Sequence, residues 1–144
     1  MSEPKIVIGA GAAGLTAAAV CAERGGRVLL IEKMERPGRK LRITGKGRCN
    51  VTNATFDLQG LLEHIPTNPR FLYSAFSNFM PYDTIALLED LGVSTKIERG
   101  ERVFPVSDNA TDIVDALVRR AKNAGVQFLP VSYTHLRAHE TLRH

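Results

Sequence analysis

The sequence predicts an α/β fold of Rossmann type, a parallel sheet with packed helices, and three observations carry that prediction. A nearly all-apolar run, Lys5-Ile6-Val7-Ile8-Gly9, leads straight into the spacing Gly9-x-Gly11-x-x-Gly14. An Ala-rich stretch continues without a break to Gly25-Gly26. A second apolar run, Arg27-Val28-Leu29-Leu30-Ile31, ends on the acid Glu32.

Each element has its own reason. Residues 5–9 lack polar–apolar alternation, which suits a central parallel strand buried on both faces. Residues 12–24 are dominated by alanine, with Leu15 and Val20 as larger anchors, and read as a helix stopped by Gly25 and Gly26. Residues 27–31 read as a second buried strand, so the first 32 residues form one β-α-β unit with a right-handed crossover. Periodicity is lost over residues 33–53, where Pro37, Gly38, Gly45 and Gly47 punctuate the chain. So long an irregular stretch inside a compact domain is commonly functional. Residues 57–65 read as a short helix. Residues 69–79 and 81–91 read as two more, each opened by a proline. Phe71, Tyr73, Phe76, Phe79 and Tyr82 read as packing between those two helices, with a ligand wall as the alternative. Residues 93–97 and 102–104 read as a hairpin. Asp108 or Thr111 is placed to cap a helix running to Asn123, with Ile113, Val114, Leu117, Val118 and Ala121 as its apolar stripe. Residues 126–131 read as a third buried strand.

The glycine spacing gains meaning from its position between a strand and a helix. Gly9 permits the tight turn. Gly11 lets backbone approach a pyrophosphate, and Gly14 lets the helix pack closely on the strand. The helix N-terminus then offers N–H groups and a positive dipole end to phosphates. Glu32 stands where a carboxylate accepts hydrogen bonds from the adenosine ribose hydroxyls, which disfavours a 2′-phosphate and counts against NADP in this site. The fingerprint alone does not separate FAD from NAD. A long basic loop and a helical segment follow Glu32, in place of a quick return to βαβ alternation. That order fits the FAD-binding domain of glutathione-reductase type, with a helical insertion and a small hairpin.

Composition narrows the function classes. The chain has 144 residues, enough for one ordinary domain. With 44% hydrophobic and 24% charged residues, wholesale disorder is excluded. No apolar run approaches the ~18 residues of a membrane span, and the start lacks a signal-peptide pattern. Cys21 and Cys49 make neither a disulfide framework nor a zinc site, so a cytoplasmic location is expected. The formal net charge is +4. Seven of the basic residues (Lys33, Arg36, Arg39, Lys40, Arg42, Lys46, Arg48) lie in one stretch against the single acid Glu35. Such clustering points to a local anionic ligand, and argues against nucleic acid as the partner. Residues 132–144 hold His135, His139 and His144. The spacing of the first two admits a metal reading, but the order of acids and histidines matches no zinc helix. With neither strand period nor turn chemistry, residues 132–144 are expected to be a non-native tail, and no metal is expected.

Three further motifs are more specific. Pro37-Gly38-Arg39-Lys40, Thr44-Gly45-Lys46-Gly47-Arg48-Cys49-Asn50-Val51-Thr52-Asn53 and Gly100-Glu101-Arg102-Val103-Phe104-Pro105 resemble a bacterial family of NAD(P)/FAD-dependent oxidoreductase flavoproteins. These are aminoacetone-oxidase-like and include a member of the gut bile-acid dehydroxylation pathway. The resemblance covers residues 5–131 and implies the N-terminal third of a longer enzyme, with residues 1–131 the N-terminal part of a truncated FAD/NAD(P)-binding domain. It implies FAD as cofactor, NAD(P)H as a candidate co-substrate, and a small-molecule substrate without a membrane partner. In that frame Gly9, Gly11, Ala12, Ala13 and Gly14 hold the pyrophosphate, and Glu32 and Lys33 flank the adenosine. Arg39, Lys40 and Leu41 follow the cofactor, and Thr44, Gly45, Arg48, Cys49 and Asn50 lie near the flavin. Beside these stand plainer readings. Arg39 and Lys40 are also credible as solvated loop charges, Arg48 as a structural clamp, and Cys49 as a half-buried thiol without a redox partner. The implied function is a flavin-dependent oxidoreductase that passes hydride between NAD(P)H or substrate and FAD. An RNA-modifying flavoprotein and a non-catalytic nucleotide-binding fragment are the alternatives.

Overall fold

The computed structural model describes residues 3–130. The supposed tail and its histidines, along with Val131, lie outside the described residues. The elements follow the order β1 (Lys5–Ile8), α1 (Ala12–Glu23), β2 (Val28–Glu32), α2 (Arg39–Ile43), β3 (Thr52–Asn53), α3 (Leu58–Glu63), α4 (Tyr73–Asn78), α5 (Pro81–Asp90), β4 (Thr95–Glu98), β5 (Arg102–Pro105), α6 (Ala110–Asn123) and β6 (Gln127–Pro130). The chain divides into two compact units. One runs to Arg42 and resumes at Val114, and the other is Ile43–Ile113.

The first unit holds a parallel sheet in the order β1-β2-β6. Ile6 pairs with Leu29 across the first ladder, and Ile31 with Leu129 across the second. The β-α-β reading therefore stands, with one correction. The central strand is β2, not β1. Val28 and Leu30 are buried, whereas Ile6 and Ile8 on β1 are 59% and 56% exposed. An all-apolar run suits flanking neighbours on both sides, and among the described residues β1 has a partner strand on one side only. Among the described residues β6, where a third buried strand was expected, is likewise an edge. Val126 is buried just before β6, but Gln127, Leu129 and Pro130 within it are exposed. Leu15, Ala18 and Ala19 of α1 are buried. So are Val114, Ala116, Leu117 and Ala121 of α6, the helical spacing of one apolar face. Asn109 precedes α6, and its side-chain oxygen accepts from the Thr111 N–H at 2.9 Å. The cap is thus Asn109 rather than Asp108 or Thr111.

The second unit holds a small antiparallel sheet in the order β3-β5-β4. The expected hairpin is β4–β5, and β3 adds Thr52 opposite Val103. The stretch 33–53 is less irregular than its glycines suggest. It contains α2, a 3-10 turn over Thr44–Gly47, and β3. Asp57 caps α3 by accepting from the Gly60 N–H at 2.6 Å. Residues 69–79 do not form one helix. A 3-10 turn over Pro69–Leu72 precedes α4. The aromatic group is not helix–helix core either. Phe71 is 79% exposed, and Tyr73, Phe79 and Tyr82 are also exposed. The pieces 69–72 and 73–78 are too short to enclose large rings.

Candidate dinucleotide site

In the first unit β1 ends in a tight loop. Gly9 has φ +95, a left-handed value that favours glycine. Its N–H donates to the Ile31 carbonyl at 2.7 Å, which fixes the loop to the end of β2. Gly14 is glycine for a packing reason, because a Cβ there would stand 1.8 Å from the Gly9 carbonyl oxygen. Gly11 is different. Its φ of −86 is open to any residue, and a Cβ on it would meet nothing within 4 Å. Neither backbone strain nor a protein neighbour demands glycine there. The space that a side chain would fill is open, as a cradle for an approaching group requires. No side chain caps α1, and no acid lies in its first turn. Ala12 and Ala13 are exposed at this helix start. The residues therefore fit a dinucleotide pyrophosphate at the helix N-terminus.

Glu32 is the last residue of β2 and half-buried. One carboxylate oxygen accepts from the Ala10 N–H at 2.6 Å and the other from the Met34 N–H at 2.8 Å. Ala10 is fully buried, and its carbonyl accepts from the Gly38 N–H at 2.8 Å. Glu32 also lines a cavity of about 330 Å³ with Met34, Arg36, Arg42, Phe128 and Leu129. Lys33, Arg39 and Lys40 are exposed, and Leu41 is half-buried. Arg42 makes a 3.4 Å ion pair with Asp115.

The remaining residues singled out from the sequence lie in the second unit. Thr44 opens a left-handed turn with φ of +55 at Gly45, +57 at Lys46 and +84 at Gly47. A Cβ on Gly45 would stand 2.9 Å from the Phe104 ring. The Cys49 N–H donates to the Thr44 carbonyl at 3.1 Å. Cys49 is buried, and burial pushes its thiol pKa up, against a smaller opposing hydrogen bond with Thr44. The Asn50 amide nitrogen donates to the carbonyls of Val103 at 3.2 Å and Thr52 at 3.0 Å. Arg48 is a clamp. Its two terminal nitrogens meet the Glu98 carboxylate at 2.9 and 3.0 Å, and one of them also meets Asp108 at 3.0 Å.

Sequence reasoning missed two features. The partners of Arg48, namely Glu98 and Asp108, sit 50 and 60 residues away, and no local pattern marks them. Gly38 reaches back to the phosphate loop. The signal was the Pro37-Gly38 pair, read as punctuation and as part of a family motif but not as a contact to the loop. Among the described residues no group of three or more acids, cysteines or histidines forms a metal site, and no helix is long and apolar enough to cross a membrane.

Fold and loop together define a Rossmann-type dinucleotide-binding domain. The chain belongs to the HI0933-like protein Rossmann-domain family, whose model matches residues 3–140, and the flavoprotein resemblance read from the sequence agrees with that membership. It is 38% identical over 123 residues to a ribosomal RNA dihydrouridine synthase of Escherichia coli, covering 85% of this chain and 30% of that protein. It is 34% identical over 121 residues to a 3-dehydro-bile acid delta(4,6)-reductase of Clostridium scindens, covering 81% and 29%. The chain thus spans about a third of the length of these relatives. The structure of THI4 from Thermovibrio ammonificans matches 90% of this chain and 38% of its own at a TM-score of 0.58 and 15% identity, a likeness of fold.

Proposed function

We propose that this chain is the FAD-binding portion of a flavin-dependent reductase. The observation that carries the reading is Gly11, a glycine that the protein itself does not require, at an uncapped helix start. When bound, FAD would supply hydride transfer. The chain's own residues would hold it. The N–H groups at the start of α1 would take the pyrophosphate, and Glu32 the ribose. The cavity beside Glu32 has room for a flat heterocycle, with Phe128 and Leu129 among its lining residues. The 34% relative is named as a reductase of a bile acid, which favours a small molecule, reduced at the expense of NAD(P)H, as the substrate class.

A second reading has its own support. The 38% relative is named for ribosomal RNA. Purified full-length protein should carry a visible flavin spectrum and bleach on addition of NADH or NADPH. Glu32→Ala should weaken FAD binding tenfold or more. Reoxidation by an unsaturated ketone supports the first substrate class, and by ribosomal RNA the second. A colourless protein that FAD does not stabilise overturns both.

A further inference from the structure

We propose that Glu32 is a positioning residue for the phosphate loop, and that with Gly38 it holds Ala10 in its binding shape before any phosphate arrives. The inference rests on the dinucleotide reading above, and it gives Glu32 a task beyond the ribose.

Both backbone groups of Ala10 are taken up from the same side of the chain's order. The N–H donates to the Glu32 carboxylate at 2.6 Å, and the carbonyl accepts from the Gly38 N–H at 2.8 Å. Ala10 lies between Gly9 and Gly11, so fixing its peptide groups fixes the loop that meets the phosphates. Hydrogen bonds to a charged acceptor are stronger than neutral ones. Without the carboxylate, the fully buried Ala10 residue would carry an N–H lacking its acceptor, and the loop would shift to satisfy it. The carboxylate is itself held at a second point by the Met34 N–H at 2.8 Å. Each of its oxygens has a second lone pair, so bracing the loop and accepting from ribose hydroxyls are compatible. Gly38 completes the clamp at a conformational cost. Its φ is +71, and a Cβ there would lie 2.7 Å from both methyl groups of Val114. A ligand for ribose alone would require none of these contacts.

The test uses full-length protein, Glu32→Ala and Glu32→Gln, with two readouts that contain no ribose. One is hydrogen exchange at the Ala10 amide without cofactor. The other is affinity for inorganic pyrophosphate. In Glu32→Ala, exchange at Ala10 should accelerate tenfold or more and pyrophosphate should bind at least fivefold more weakly. Glu32→Gln keeps one acceptor oxygen for two N–H groups, so exchange should accelerate at Ala10 or Met34. It also serves as the test if the alanine variant does not fold. Wild-type exchange and pyrophosphate affinity, with FAD binding alone weakened, would overturn the proposal and leave a ribose-only role. Absence of FAD binding to the wild type would count against the dinucleotide reading, while exchange at Ala10 still decides the clamp.

Discussion

Arg48 lies over Phe104, its guanidinium carbon 4.0 Å from the ring centre, while the same group meets both oxygens of Glu98. Phe104 is buried on β5, and Glu98 closes β4. One side chain therefore ties the Thr44–Gly47 turn to both strands of the hairpin. The Arg48 hydrogen bonds hold Glu98 below the usual carboxylate range, and Lys96, then Arg48, hold Asp108 below it.

The sign of the pH effect follows. A carboxylate whose pKa is depressed on folding contributes stability that is present above its unfolded pKa, about 4, and lost as pH falls through the folded value. Arg48→Met keeps an apolar stem over Phe104 and removes the charge. Its melting temperature should fall at neutral pH, and its further loss on acidification should be shallower than that of the wild type. Thermal melts across a pH series check this. Parallel curves would show that Arg48 acts through packing alone.

Gly11 and Gly14 should separate binding from folding. Gly14→Ala places a Cβ 1.8 Å from the Gly9 carbonyl oxygen. Backbone must move, at a cost of about 1–3 kcal/mol or more. Gly11→Ala meets no protein atom within 4 Å and has an ordinary φ, so its stability should change by less than about 1 kcal/mol. Its Cβ would nevertheless occupy the space assigned to the pyrophosphate. Denaturant melts paired with FAD titration of full-length protein check the contrast. Tight FAD binding by Gly11→Ala would remove the support Gly11 gives to the proposed function.

The β-α-β unit was legible because its rules are local: an apolar run, a glycine spacing, an Ala-rich helix, a second apolar run. Strand position was not. The runs at Lys5–Ile8 and Val28–Glu32 look alike in sequence, and only the ladder order makes the second central. Short helices were blurred for a similar reason. Between Pro69 and Asn78 the chain changes from 3-10 to α geometry without a glycine or a further proline to mark the step. Within the candidate site, Glu32 was singled out because its distance from the glycines is characteristic. The Gly38 contact to Ala10 was not, since it depends on how a loop folds back. The choice between clamp and anion binder at Arg48 required its partners on β4 and before α6, which no spacing encodes.

Cys49 offers the last prediction. It follows a basic residue in a motif-rich turn, the setting in which a reactive thiol is easily imagined. The structure gives it the opposite character. The residue is buried at φ +62, and burial raises its pKa, which lowers the fraction of nucleophilic thiolate. Alkylation then requires local opening of the turn, whose free-energy cost slows the reaction. In native protein at pH 8, iodoacetamide should modify Cys49 roughly 100-fold more slowly than in the unfolded chain. On the proposed flavin function, Cys49→Ala should leave flavin reduction by NADH or NADPH within about twofold of wild type. Peptide-resolved alkylation kinetics and stopped-flow reduction of the full-length protein measure the two effects. Rapid native alkylation, or flavin reduction lost in an alanine variant that still melts normally, would make Cys49 a redox participant and reverse the argument from burial.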